Sequence, residues 1–140
     1  MEINGIAHVV LTAGDFARSR AFYGELLPFL GLAPVIDAPE FFYCVGGRTA
    51  FGIRPADRAH AGESFSQGRP GLHHVCFRLR SREEIDALHA FLVARDAAIV
   101  HPPGSPRVRP LLDELGSLLP AERRASAAII EVEPEGAFVT

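Results

Sequence analysis

The 140 residues suit one ordinary domain, or two small modules fused across a shared core, because neither half could bury enough apolar surface alone. With 48% hydrophobic and 22% charged residues and a formal net charge of −3, the composition is that of a soluble globular protein and gives no electrostatic reason to bind nucleic acid or a membrane surface. No apolar run is long enough to span a bilayer, and Met1-Glu2-Ile3-Asn4 lacks the basic and apolar regions of a secretory signal, so a cytoplasmic location is expected.

Gly5-Ile6-Ala7-His8-Val9-Val10-Leu11 is a short β-branched run opened by glycine, which predicts a strand over 5–12 with Ile6, His8 and Val10 on one face. Gly14-Asp15 is a turn and N-cap signal, after which Phe16, Arg20, Phe22, Tyr23, Leu26, Leu27 and Leu30 recur at helical spacing. Gly24 and Pro28 weaken a long helix, so the spacing predicts a helix ending near Tyr23 or Gly24 and a short further turn before Gly31, with Phe22 and Tyr23 facing the core. Residues 32–36 are strand-like, and 41–45 faces 49–53 across Gly46-Gly47-Arg48 as a hairpin. Residues 3–55 therefore make a β-α-β-β-β module, and the polar, small-residue stretch 56–70 has the composition of a linker.

The opening pattern returns 66 residues later as Gly71-Leu72-His73-His74-Val75-Cys76-Phe77, which places histidines at 8 and 74 in equivalent positions. A strand over 72–79 puts Leu72, His74 and Cys76 on one face and His73 on the other. Ser81 with Glu84 is a capping box, and Ile85, Leu88, Phe91 and Leu92 give the helix behind it an apolar face. A strand over 97–101 ends at Pro102-Pro103-Gly104. The repeat then fails: Leu111, Leu112, Leu115, Leu118 and Leu119 predict a helix within 107–125, and only 127–133 returns to strand character. Cys44 and Cys76 lie in apolar runs without CxxC spacing, which predicts buried free thiols. His60, His89 and His101 are placed in a linker, on a helix and at a strand end, where solvated side chains are expected.

The two strand motifs, the Asp15 to Tyr23 helix, the Leu30-Gly31-Leu32 exit and the second helix resemble the vicinal oxygen chelate superfamily, the glyoxalase, bleomycin-resistance and extradiol-dioxygenase group. The resemblance covers about 3–103. It implies an α+β fold in which tandem β-α-β-β-β modules form one cup-shaped mixed sheet, a single glyoxalase-like domain over 1–140 with module two at 71–133 and irregular from 104. In metal-dependent members one ligand comes from the first strand of each module and a carboxylate from the last strand of the second, which carries these roles onto His8, His74 and Glu131. A further carboxylate of glyoxalase I types falls at about Gly52, where no donor exists. The remaining two-histidine, one-carboxylate set suits Fe(II), Mn(II), Ni(II) or Zn(II).

The implied activity is that of a metal-dependent lyase or dioxygenase acting on a small molecule through two neighbouring oxygens, with Phe41, Tyr43, Phe51, Ile53 and Arg54 lining the substrate pocket. The residues alone leave other accounts open. Core packing is the default account of the aromatic positions, a lone histidine on an apolar strand is usually a satisfied core residue, and Glu131, Glu133 and Glu135 alternate as in a solvated edge strand. The alternative function is a metal-free small-molecule binder of the bleomycin-resistance type, and a third reading, with a tail that cannot complete the site, is a dimerising scaffold. Homodimerisation is expected in each case.

Overall fold

The computed structural model describes residues 2–66, 68–99, 102–103, 127–133 and 136–139, the last two segments by backbone alone. The predicted helix within 107–125 and His101 lie outside the described residues. The chain divides into two compact units, Met1–Phe65 and Ser66–Thr140, a division that falls within 56–70.

In the first unit β1 (His8–Ala13) leads to α1 (Phe16–Phe29), followed by β2 (Ala33–Ala38), β3 (Phe41–Gly46) and β4 (Thr49–Pro55). The sheet order is β1-β4-β3-β2, with β1 parallel to β4 and the other pairs antiparallel. Tyr23, Leu26 and Leu27 of α1 are fully buried with Phe42, Cys44, Phe51 and Ile53 of the sheet, and Tyr23 lies 5.4 Å from the Phe51 ring. Burying each large side chain of this kind contributes about 1.5–3 kcal/mol relative to exposure.

α1 does not stop at Gly24. Asp15 caps its start by accepting from the Arg18 N–H at 3.0 Å, and the helix runs on to Phe29. The glycine leaves the space that the Arg20 guanidinium occupies. From there Arg20 pairs with Asp37 of β2 and lies 3.8 Å over the Phe42 ring, so Gly24 serves a cross-element contact rather than a break. Pro28 falls in the last turn, where little remains of the ladder to lose. Gly31 at φ +81° then turns the chain so that Leu32 N–H returns to the Leu27 carbonyl at 2.9 Å, a Schellman closure.

The hairpin also differs from expectation by one residue. Gly46 pairs with Thr49, so the turn is the two residues Gly47 and Arg48, at φ +56° and +66°, the positive-φ pair of a type I′ turn. A three-residue connection would pair odd with odd positions; the observed one pairs Tyr43 with Gly52 and Cys44 with Phe51. A one-residue shift exchanges the faces of one strand relative to its partner.

The expected linker is tied down over its first part. Ala56 N–H bonds the Ala13 carbonyl at 2.9 Å and Gly62 N–H the Gly14 carbonyl at 3.3 Å, around a short 3-10 turn at Arg58–His60. Any side chain at Gly14 would run into the Glu63 carbonyl oxygen, so glycine is required there for close backbone approach.

The second unit holds β5 (Val75–Arg78), α2 (Arg82–Val93), β6 (Ala127–Glu133) and β7 (Gly136–Val139), with sheet order β5-β6-β7. The Ser81 hydroxyl accepts from Glu84 N–H at 3.3 Å as the capping box predicts, although the Glu84 carboxylate turns back to Arg80 N–H, one residue before the cap. Leu88 and Leu92 are buried. Residues 97–99 form no strand, because Asp96 at φ +51° turns the chain and Ala97 N–H is spent on the Leu92 carbonyl at the helix end. β7 was not foreseen. The repeat also breaks at the level of pairing, since β5 is antiparallel to β6 whereas β1 is parallel to β4. Among the described residues, no helix is long and apolar enough to cross a membrane.

Candidate functional site

Strand alternation divides the first sheet into a face under α1 and an open face. On β1, Val9, Leu11 and Ala13 are partly or fully buried, while His8, Val10 and Thr12 are exposed. The ladder carries the open face across the sheet: His8 stands opposite Ala50, Val10 opposite Gly52, Gly52 opposite Tyr43, and Tyr43 opposite Ile36. The Tyr43 ring meets His8 edge-on at 6.5 Å between centroids and stacks on Phe41 at 5.6 Å. Arg54, opposite Thr12, is exposed on the same face. Among the described residues Arg54 makes no ion pair.

The expected pocket set therefore separates. Phe41, Tyr43 and Arg54 share the face of His8, whereas Phe51 and Ile53, at 1% and 0% exposure, point to the other face and belong to the core with Tyr23. The two-residue turn is the cause, since it sets odd positions of β3 against even positions of β4. Ile36, 43% exposed on the open face, was missed because strand 32–36 offered no pairing partner from which to read its side. Gly52 is the signal that sequence reasoning passed over. A glycine inside an apolar strand marks a close approach, and a Cβ there would sit 2.6 Å from the Tyr43 ring and 3.1 Å from the Phe42 carbonyl oxygen. The position at which a fourth ligand was sought is thus filled by the Tyr43 ring, and Ala50, the residue beside His8, has no donor either.

In the second unit His74 is exposed and immediately precedes β5. The β5–β6 ladder ends where Val75 pairs with Ile130, and His74 and Glu131 are the residues that adjoin this last pair in sequence. His73 does not take the opposite face. Its Nδ1 lies 2.9 Å from the His74 Nδ1, with ring centroids 5.1 Å apart and planes at 84°. Of the remaining histidines, exposed His60 pairs with Glu63 at 3.0 Å, and His89 is half-buried on α2.

In the first unit the groups with clearly displaced pKa values lie away from the open face. Arg20 donates from Nε to Asp37 at 2.9 Å, which holds the Asp37 carboxyl below its ordinary value and raises the guanidinium. Burial pushes up the Tyr23 hydroxyl and the Cys44 thiol. Cys44 is buried as expected and Cys76 is exposed, because it takes the alternate face of β5 from Val75 and Phe77.

Among the described residues no three of His, Cys, Asp and Glu gather into a metal-holding group, and the side chains of β6, Glu131 included, are outside them. The chemistry of the implied donor set fits a divalent ion nonetheless: two imidazoles and one carboxylate are ordinary ligands of Fe(II), Mn(II), Ni(II) and Zn(II). His8 makes no hydrogen bond among the described residues, which leaves its ring nitrogens available.

Known proteins share this fold. A candidate glyoxalase from Bacillus halodurans is 21% identical over 97% of this chain and 95% of its own, with a TM-score of 0.69. A lactoylglutathione lyase from Agrobacterium tumefaciens is 18% identical over 99% and 93%, at 0.59, and a glyoxalase/bleomycin resistance protein from Albidiferax ferrireducens is 21% identical over 95% of both chains, at 0.56. No curated protein sequence matches. Residues 5–108 fit the profile of one family, and together with the α+β fold this establishes that the chain belongs to the Glyoxalase/Bleomycin resistance protein/Dioxygenase superfamily.

Proposed function

We propose that the protein is a divalent-metal-dependent enzyme acting on a small molecule through two neighbouring oxygens, with His8, His74 and Glu131 as the metal-holding residues. The observation that supports this reading is the β5–β6 register, whose last pair, Val75 with Ile130, adjoins the second-module histidine and the one carboxylate implied as a ligand. A divalent ion held by this set supplies Lewis acidity to two adjacent substrate oxygens. Tyr43 and Phe41 offer a flat apolar surface beside His8 for the substrate body. Arg54 offers a cation four residues further along the same face, about 13 Å from His8 at strand rise.

The filled position at Gly52 favours a second reading, a metal-free binder that uses the same aromatic face. Metal content decides between them. Full-length protein prepared without chelator or affinity tag is expected to carry near-stoichiometric metal, with His8→Ala and His74→Ala each losing it. Wild-type protein that holds none after loading with Fe(II), Mn(II), Ni(II) and Zn(II) overturns the enzyme reading and leaves the binder.

A further inference from the structure

Two ring nitrogens 2.9 Å apart form a hydrogen bond only if one carries the proton and the other a lone pair. The His73–His74 pair therefore has two neutral arrangements. If His74 donates from Nδ1, its Nε2 is bare and can bind a cation. If His73 donates, the His74 Nε2 holds a proton and cannot. Adjacent residues of a regular strand point to opposite faces and could not meet in this way. The chain avoids that geometry because β5 begins only at Val75, after Gly71 at φ +152°, a value that side chains rarely adopt.

We propose that His73 is a positioning residue: its Nδ1 accepts from His74 Nδ1–H, fixing His74 as the tautomer with a free Nε2 aimed away from the pair. This rests on the reading of His74 as a metal-holding residue and adds what fixes its orientation. A ligating histidine typically donates its other ring N–H to an acceptor, and loss of such a partner weakens metal binding by about 10–100-fold. Among the described residues the group within hydrogen-bond reach of the His74 Nδ1 is the His73 ring, so the geometry gives this role to His73.

The test is read first without metal. In the chelator-treated, full-length ¹⁵N-labelled protein, long-range ¹H–¹⁵N imidazole spectra, assigned with His73→Asn and His74→Gln, are expected to show His74 protonated at Nδ1 and bare at Nε2. His73→Ala is expected to lose that tautomer, and His73→Asn to keep it, because its amide oxygen stands where the ring Nδ1 stood. Zn(II) titration should then show affinity about 10–100-fold weaker in His73→Ala and within a few-fold of wild type in His73→Asn. A wild-type His74 protonated at Nε2, or a tautomer unchanged in His73→Ala, overturns the role of His73. Wild-type protein with the expected tautomer that binds no Zn(II) instead overturns His74 as a ligand, so the two failures are separable.

Discussion

At the scale of single residues, two buried positions have costs that substitution can measure. The Tyr23 hydroxyl is buried with no hydrogen-bond partner among the described residues. A buried polar group left unpaired costs about 1–3 kcal/mol. Tyr23→Phe keeps the ring against Phe51 and is expected to stabilise the protein by about 1 kcal/mol in urea unfolding. Gly52 is the opposite case. Gly52→Ala meets both a ring and a backbone carbonyl, and is expected to cost about 1–3 kcal/mol. That cost should shrink in a Tyr43→Ala background, where only the Phe42 carbonyl remains in the way; equal costs in both backgrounds would mean that the ring does not close off this position.

At the scale of elements, α1 is joined to β2 through Arg20 and Asp37. Asp37 has its pKa lowered in the folded state by this partner, so its contribution is complete above the ordinary carboxylate value of about 3.9 and fades as pH falls through the lowered value. Thermal midpoints from pH 6 to pH 2.5 are expected to show wild type above Asp37→Asn at the upper end and the two converging below about pH 4. These elements also show what could be read from the chain. α2 was legible because Ser81, Glu84, Leu88 and Leu92 state cap and face together, whereas the true end of α1 was not, because Gly24 is used for a contact with Arg20 that sequence spacing does not contain. His8 and His74 stood out through their repeated motif. The face of Phe51 and Ile53 was hidden by a turn one residue shorter than its Gly46-Gly47-Arg48 sequence suggests, and His73 by an alternation rule that applies only from Val75 onward. Strand pattern tells which residues share a face, but not which strand lies alongside or in which direction, and so the antiparallel β5–β6 pairing was out of reach.

At the scale of the whole molecule, the sheet edges are where association with a second chain would be sought. β1 and β2 are the outer strands of the first sheet, and Val35 on β2 is 58% exposed. Exposed strand edges invite pairing with a second chain. A homodimer is expected by sedimentation, and a monomer at micromolar concentration would remove the expectation.

The pairing of β5 with β6 has a consequence for the newly made chain. All four strands of the first sheet have been made by Pro55, whereas 48 residues lie between Arg78 and Ala127. At a synthesis rate of roughly 5–20 residues per second, β5 waits about 2–10 s on the ribosome before its neighbour exists. During that interval the edge of β5 that β6 covers in the finished protein is without that partner. Nascent chains stalled once α2 has left the ribosome and before β6 is made should therefore carry a β5 edge without β6, the kind of surface that chaperones hold and that aggregates recruit.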